Sequence, residues 1–176
     1  MHVIFSHGKE AHPAGEKILA LTRVATQLGF TTESIDYRDQ RNDPEGRVAR
    51  LLAAADNAPR PLVLVGSSMG GYVSAVASAS LRPQGMLLLA PAIGLPGYAD
   101  PDPQPCADHL QIVHGWMDEI APVQNVTAYA FAHAAPLCVL PDGHRLLASM
   151  TQIEMLFAQL LQRVAADHAQ ASAVSE

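Results

Sequence analysis

The chain has 176 residues, a length that suits one domain with a sizeable core. Hydrophobic residues make up 49% and charged residues 16%, which excludes a disordered chain, and a net charge of −6 without any Lys/Arg cluster argues against nucleic acid as a general partner. Cys106 and Cys138 show neither metal-like spacing nor a disulfide framework, no apolar run approaches bilayer length, and no basic leader precedes the first strand, so a cytoplasmic location without membrane attachment is expected.

His2 to Ser6 reads as a strand that breaks at His7-Gly8-Lys9. A helix is predicted over Glu16 to Leu28, with Ile18, Leu21, Val24, Ala25 and Leu28 on one face and Gly29 as its stop. Phe30 to Tyr37 alternates and is more polar, as an edge strand would be. Asp43-Pro44 starts a second helix, Asp as N-cap and Pro at the first helical position, with Val48, Leu51, Leu52 and Ala55 turned inward.

Pro61 to Val65 is an unbroken apolar run, the mark of a strand buried on both faces of a parallel sheet. It stops at Gly66, and a small-residue helix follows from Tyr72 to Leu81. Gly85 to Ala90 is the next strand, and Pro91 to Pro105 a Pro/Gly/Asp-rich loop placed to act as a short flap. His109 to His114 and Leu137 to Leu140 are two further strands, separated by a helix over Pro122 to His133. The longest helix is predicted from Arg145 to about Val164, striped by Leu146, Met150, Ile153, Phe157, Leu160 and Val164. The domain is expected to span residues 1–166, with 167–176 a frayed tail.

This β-α alternation predicts an α/β fold: one three-layer domain with about six strands, mostly parallel, and helices on both faces. Ligands bind such sheets at the carboxyl ends of the strands. Gly66-Ser67-Ser68-Met69-Gly70 stands at such an end and fits G-x-S-x-G, the nucleophile elbow, in which a serine occupies a strained strand-to-helix turn. The bland reading of these five residues is a Gly/Ser turn or a phosphate-binding loop. Asp118, in His114-Gly115-Trp116-Met117-Asp118, falls just past the fifth strand, and His144, in Pro141-Asp142-Gly143-His144, just past the sixth. Taken singly, Asp118 could be a residue near a helix cap and His144 a loop histidine.

The elbow, the H-G-x-x-D…P segment and the G-H segment occur in the order Ser68, Asp118, His144. In this the chain resembles the α/β-hydrolase superfamily, and within it the compact, nearly lidless bacterial serine esterases. The similarity covers almost the whole chain, the family's first two strands are missing, and the strand order it implies is 2-1-3-4-5-6. The resemblance implies Ser68 as nucleophile, His144 as its base and Asp118 as the acid that holds the imidazole. It implies an oxyanion hole from the N–H of Met69 and an N–H of His7-Gly8-Lys9, with Lys9 ahead of Gly8. The expected substrate is a small ester or thioester, with no cofactor and no metal. The rival readings are a non-catalytic binding or scaffold protein on the same fold, and a flavodoxin-like domain, which Glu10 disfavours by repelling phosphate. His7 and His114 are the only tempting metal ligands, and no third ligand shows suitable spacing with them.

Overall fold

The computed structural model describes residues 1–174. Six parallel strands form one sheet: β1 (His2–Ser6), β2 (Thr31–Ile35), β3 (Leu62–Ser67), β4 (Gly85–Leu89), β5 (His109–Gly115) and β6 (Leu137–Leu140). Their order is β2-β1-β3-β4-β5-β6, as the resemblance implies, so β3 lies inside the sheet and polar, alternating β2 at an edge.

The helices α1 (Glu16–Gln27), α2 (Pro44–Ala55), α3 (Met69–Leu81), α4 (Val123–Ala132) and α5 (Met150–Val174) complete the fold. Because side chains alternate along a strand, each central strand feeds two cores. Leu62, Leu64, Met86 and Leu88 face the layer of α2, α3 and α4. Val63, Val65, Leu87 and Leu89 face that of α1 and α5, where the Phe5 and Phe157 rings meet edge to face at 6.4 Å. Asp43 caps α2 as expected, its carboxylate accepting the Gly46 N–H at 2.8 Å. Among the described residues no helix is long and apolar enough to cross a membrane.

Two expectations change. The last helix begins at Met150, not Arg145, because Leu146 has a left-handed φ of 56° that an α-helix cannot contain. It continues through Asp167 to Val174, where a frayed tail is expected; the Ala-rich sequence there has high helix propensity without needing an apolar stripe. Residues 175 and 176 of that tail lie outside the described residues. The connection after β4 is a loop, as expected, and it is fastened to the helices. The Tyr129 hydroxyl donates to Pro103 O at 2.8 Å, Cys106 N–H donates to Ser78 Oγ at 2.9 Å, and Tyr98 stacks edge-on against Tyr72.

Candidate active site

Ser68 joins β3 to α3 with φ 55° and ψ −120°, a conformation costly for any residue with a Cβ. Its surroundings hold it there: the N–H donates to Leu89 O, and the carbonyl accepts from the N–H groups of Gly71, Tyr72 and Ala92. The motif's glycines are dictated by close approach. A Cβ on Gly66 would overlap the Gly70 carbonyl, and one on Gly70 would overlap the carbonyl of Ser6. Met69 is the first residue of α3, so its N–H has no acceptor within the helix.

His144 and Asp118 arrive from two other loops. The Ser68 hydroxyl donates to His144 Nε2 at 2.9 Å, and His144 Nδ1–H donates to Asp118 Oδ2 at 2.8 Å. Asp118 is buried. Its Oδ1 accepts the N–H groups of Ile120 at 2.9 Å and Ala121 at 2.8 Å, which aims Oδ2 at the imidazole. His114, fully buried, lies behind it with Nε2 3.4 Å from Oδ2, while its Nε2–H donates to Ala121 O at 2.9 Å. Asp142 turns to its own loop, accepting from Gly143 N–H at 2.7 Å and Ser149 N–H at 2.9 Å. Glu119 is exposed.

The loop after β1 passes beside the serine. A Cβ placed on Gly8 would lie 3.3 Å from Ser68 Cβ and 3.9 Å from its Oγ. His7 is fixed as the Nδ1–H tautomer, because Nε2 accepts the Tyr37 N–H at 3.0 Å and Nδ1–H donates to Gly8 O at 2.7 Å. Both ring nitrogens are thus engaged, and burial holds the imidazole below the ordinary histidine value. His114 is shifted the same way, again chiefly by burial. Among the described residues no group of three His, Cys, Asp or Glu side chains is placed to hold a metal ion.

Two residues that the sequence reading passed over shape this loop and the elbow. Arg47 of α2 is 0% exposed; its Nη1 donates to His7 O at 3.0 Å and to Gly8 O at 3.5 Å, its Nε donates to Gln40 O at 2.8 Å, and its guanidinium lies 5.1 Å from the Tyr37 ring centre. Its signal was positional, since it lies one turn before Leu51 and two before Ala55, on the buried stripe. Lys17 of α1 donates from Nζ to Ser67 Oγ at 2.9 Å, and no periodicity foretells that long-range contact. A depression of about 300 Å³ lined by Arg60, Gln84, His109 and Asp167 opens at the amino ends of the strands, away from Ser68.

No family model and no curated protein sequence matches the chain. Solved structures do. A protein of Xanthomonas campestris pv. campestris, assigned to the hydrolases of the alpha/beta superfamily, is 37% identical, with 92% of this chain and 98% of that one covered and a TM-score of 0.84. An α/β serine hydrolase without a lid, also from Xanthomonas campestris, shares the fold at 23% identity, 92% and 81% coverage and a TM-score of 0.69. Alpha/beta hydrolase domain-containing protein 10 from mouse does so at 19% identity, 92% and 90% coverage and a TM-score of 0.73. With one relative this similar over nearly its whole length, and with sheet order and elbow in agreement, the chain belongs to the α/β-hydrolase superfamily.

Proposed function

We propose that the protein is a serine hydrolase of small carboxylic esters or thioesters. The observation that carries this reading is the continuous relay from Ser68 Oγ to His144 Nε2 at 2.9 Å and from His144 Nδ1 to Asp118 Oδ2 at 2.8 Å, assembled from three separate loops. A serine hydroxyl is a weak nucleophile until a base takes its proton. His144 accepts that proton as Oγ attacks the carbonyl carbon, and Asp118 stabilises the imidazolium and keeps its orientation. The tetrahedral oxyanion is met by the Met69 N–H and by an N–H of the Gly8–Lys9 turn. Collapse of the intermediate expels the alcohol or thiol, which takes the proton from His144. Water then attacks the acyl-enzyme with His144 again as base, releasing the acid and restoring Ser68.

Small substrates fit the short connection between β4 and β5, which contains no helix to cap the site. Without an apolar cover, little area is available to reward a long acyl chain, at about 0.8 kcal/mol per buried methylene.

A fluorophosphonate should label Ser68 and leave Ser67 unmodified, and Ser68→Ala should abolish ester hydrolysis while keeping the fold. Wild-type hydrolysis in Ser68→Ala, or labelling at Ser67, would reject the relay. A folded wild-type protein that neither takes the label nor cleaves any ester or thioester would favour the non-catalytic alternative.

A further inference from the structure

His114 has no part in the proton relay, yet it touches the relay's acid. It is the penultimate residue of β5 and is fully buried. Burial holds its imidazole below the ordinary histidine value; the Ala121 carbonyl and the Asp118 carboxylate act in the opposite sense, and His144 acts with burial. The ring is therefore neutral at neutral pH and carries one proton. The Ala121 carbonyl, 2.9 Å from Nε2, places that proton on Nε2. Nδ1 is left a bare acceptor, buried and without a hydrogen-bond partner among the described residues. A leucine would fill this part of the core without that cost, so packing alone does not account for an imidazole here. What the ring offers and leucine lacks is the Nε2–H.

That N–H faces two acceptors of the acid loop. One is Ala121 O; the other is Asp118 Oδ2, 3.4 Å from Nε2. The first half of the loop is clamped to the end of β6 and the His144 loop, Trp116 N–H donating to Leu140 O at 2.9 Å and Met117 N–H to Asp142 O at 3.0 Å. The second half is held by His114, which ties Ala121 back to β5. Ile120 and Ala121 supply the two N–H groups that hold Asp118 Oδ1. Their placement depends on the His114 bond, and with it the aim of Oδ2 at His144 Nδ1.

We infer that His114 is a positioning residue for the reaction: its Nε2–H closes the acid loop on Ala121 O and, facing Asp118 Oδ2, keeps that carboxylate in line with His144. It exchanges no proton and forms no bond with substrate. The inference rests on the serine-hydrolase reading above, in which Asp118 is the acid of the relay.

The test is a double-mutant cycle of His114→Leu and Asp118→Asn. Its readout is the second-order rate of Ser68 labelling by a fluorophosphonate, which needs no turnover and stays measurable in slow variants. A residue that works through Asp118 has nothing left to align once the carboxylate is gone, so the two losses should not add. His114→Leu should slow labelling by about tenfold or more with Asp118 present, and by less than about twofold in Asp118→Asn. On p-nitrophenyl acetate the same variant should lose kcat, with KM changed by less than about threefold. An unchanged labelling rate in folded His114→Leu, or an equal loss in both backgrounds, would overturn the inference and leave His114 a core residue.

Should His114→Leu fail to fold, the wild-type protein decides. Nitrogen-15 spectra of its histidine side chains should show His114 protonated at Nε2 and bare at Nδ1 at neutral pH; a proton on Nδ1 instead, or on both nitrogens, would overturn the inference. Absent labelling in the wild type, or undiminished labelling in Asp118→Asn, would reject the serine-hydrolase reading and the inference with it. A slow Asp118→Asn beside a fast His114→Leu would overturn the inference alone.

Discussion

Asp118 Oδ2 meets His144 Nδ1 at 2.8 Å across the gap between the loops that follow β5 and β6. Asp142 is only two residues from His144, yet both its oxygens serve backbone N–H groups of its own loop. Proximity in sequence is a handicap here, because a short side chain in a tight turn bonds the turn itself. Asp118→Asn should therefore lower kcat by about 10⁴-fold, as expected when the group that sets the imidazole's tautomer loses its charge. Asp142→Asn should cost less than about tenfold in kcat and about 1 kcal/mol of stability, since one of its two backbone bonds is lost. Steady-state kinetics and denaturant melts of both variants decide the matter. A dead Asp142→Asn beside an active Asp118→Asn would move the acid to the β6 loop.

The buried histidines make stability depend on pH in a definite direction. Burial holds His7 and His114 below the ordinary value of 6.5. In the unfolded chain they take up a proton near 6.5; in the folded protein they do so only at lower pH. The unfolded state therefore binds more protons as pH falls below 6.5, and stability declines from there down to the folded values. Tm measured by circular dichroism should fall between about pH 7 and pH 5. His7→Gln and His114→Gln should each lower Tm at neutral pH, where their hydrogen bonds are lost, and flatten its decline in acid. A wild-type Tm that is level over this range would contradict the assignment.

Arg47 sets the direction of the loop beside Ser68. A trans peptide points its N–H opposite to its C=O. By holding the carbonyls of His7 and Gly8, the guanidinium turns the N–H groups of Gly8 and Lys9 to the far side. These are the two candidate oxyanion donors on this loop. Arg47 achieves this with no carboxylate partner among the described residues and with Nη2 unpaired, so it is an energetically expensive group to keep in a core. Arg47→Met should leave the loop free to reorient. An oxyanion donor acts mainly in the transition state, so kcat should fall by about 10- to 100-fold while KM changes by less than about threefold. An unchanged kcat in a folded Arg47→Met variant would reduce Arg47 to a packing residue.

Much of this architecture is legible in the sequence because each central strand is an apolar run that ends at a polar or glycine residue. Leu62–Val65, Met86–Leu89 and Leu137–Leu140 carry that signal, and Ser68, Asp118 and His144 each follow a strand closely. What was missed depends on contacts that no local pattern encodes. The apolar period of α5 extends back to Leu146, which is buried but left-handed, so periodicity placed the helix start too early. Arg47 lies on an inward stripe, yet its charge masks the position. Lys17 reaches Ser67 across fifty positions of sequence, a relationship set by the packing of α1 against the sheet.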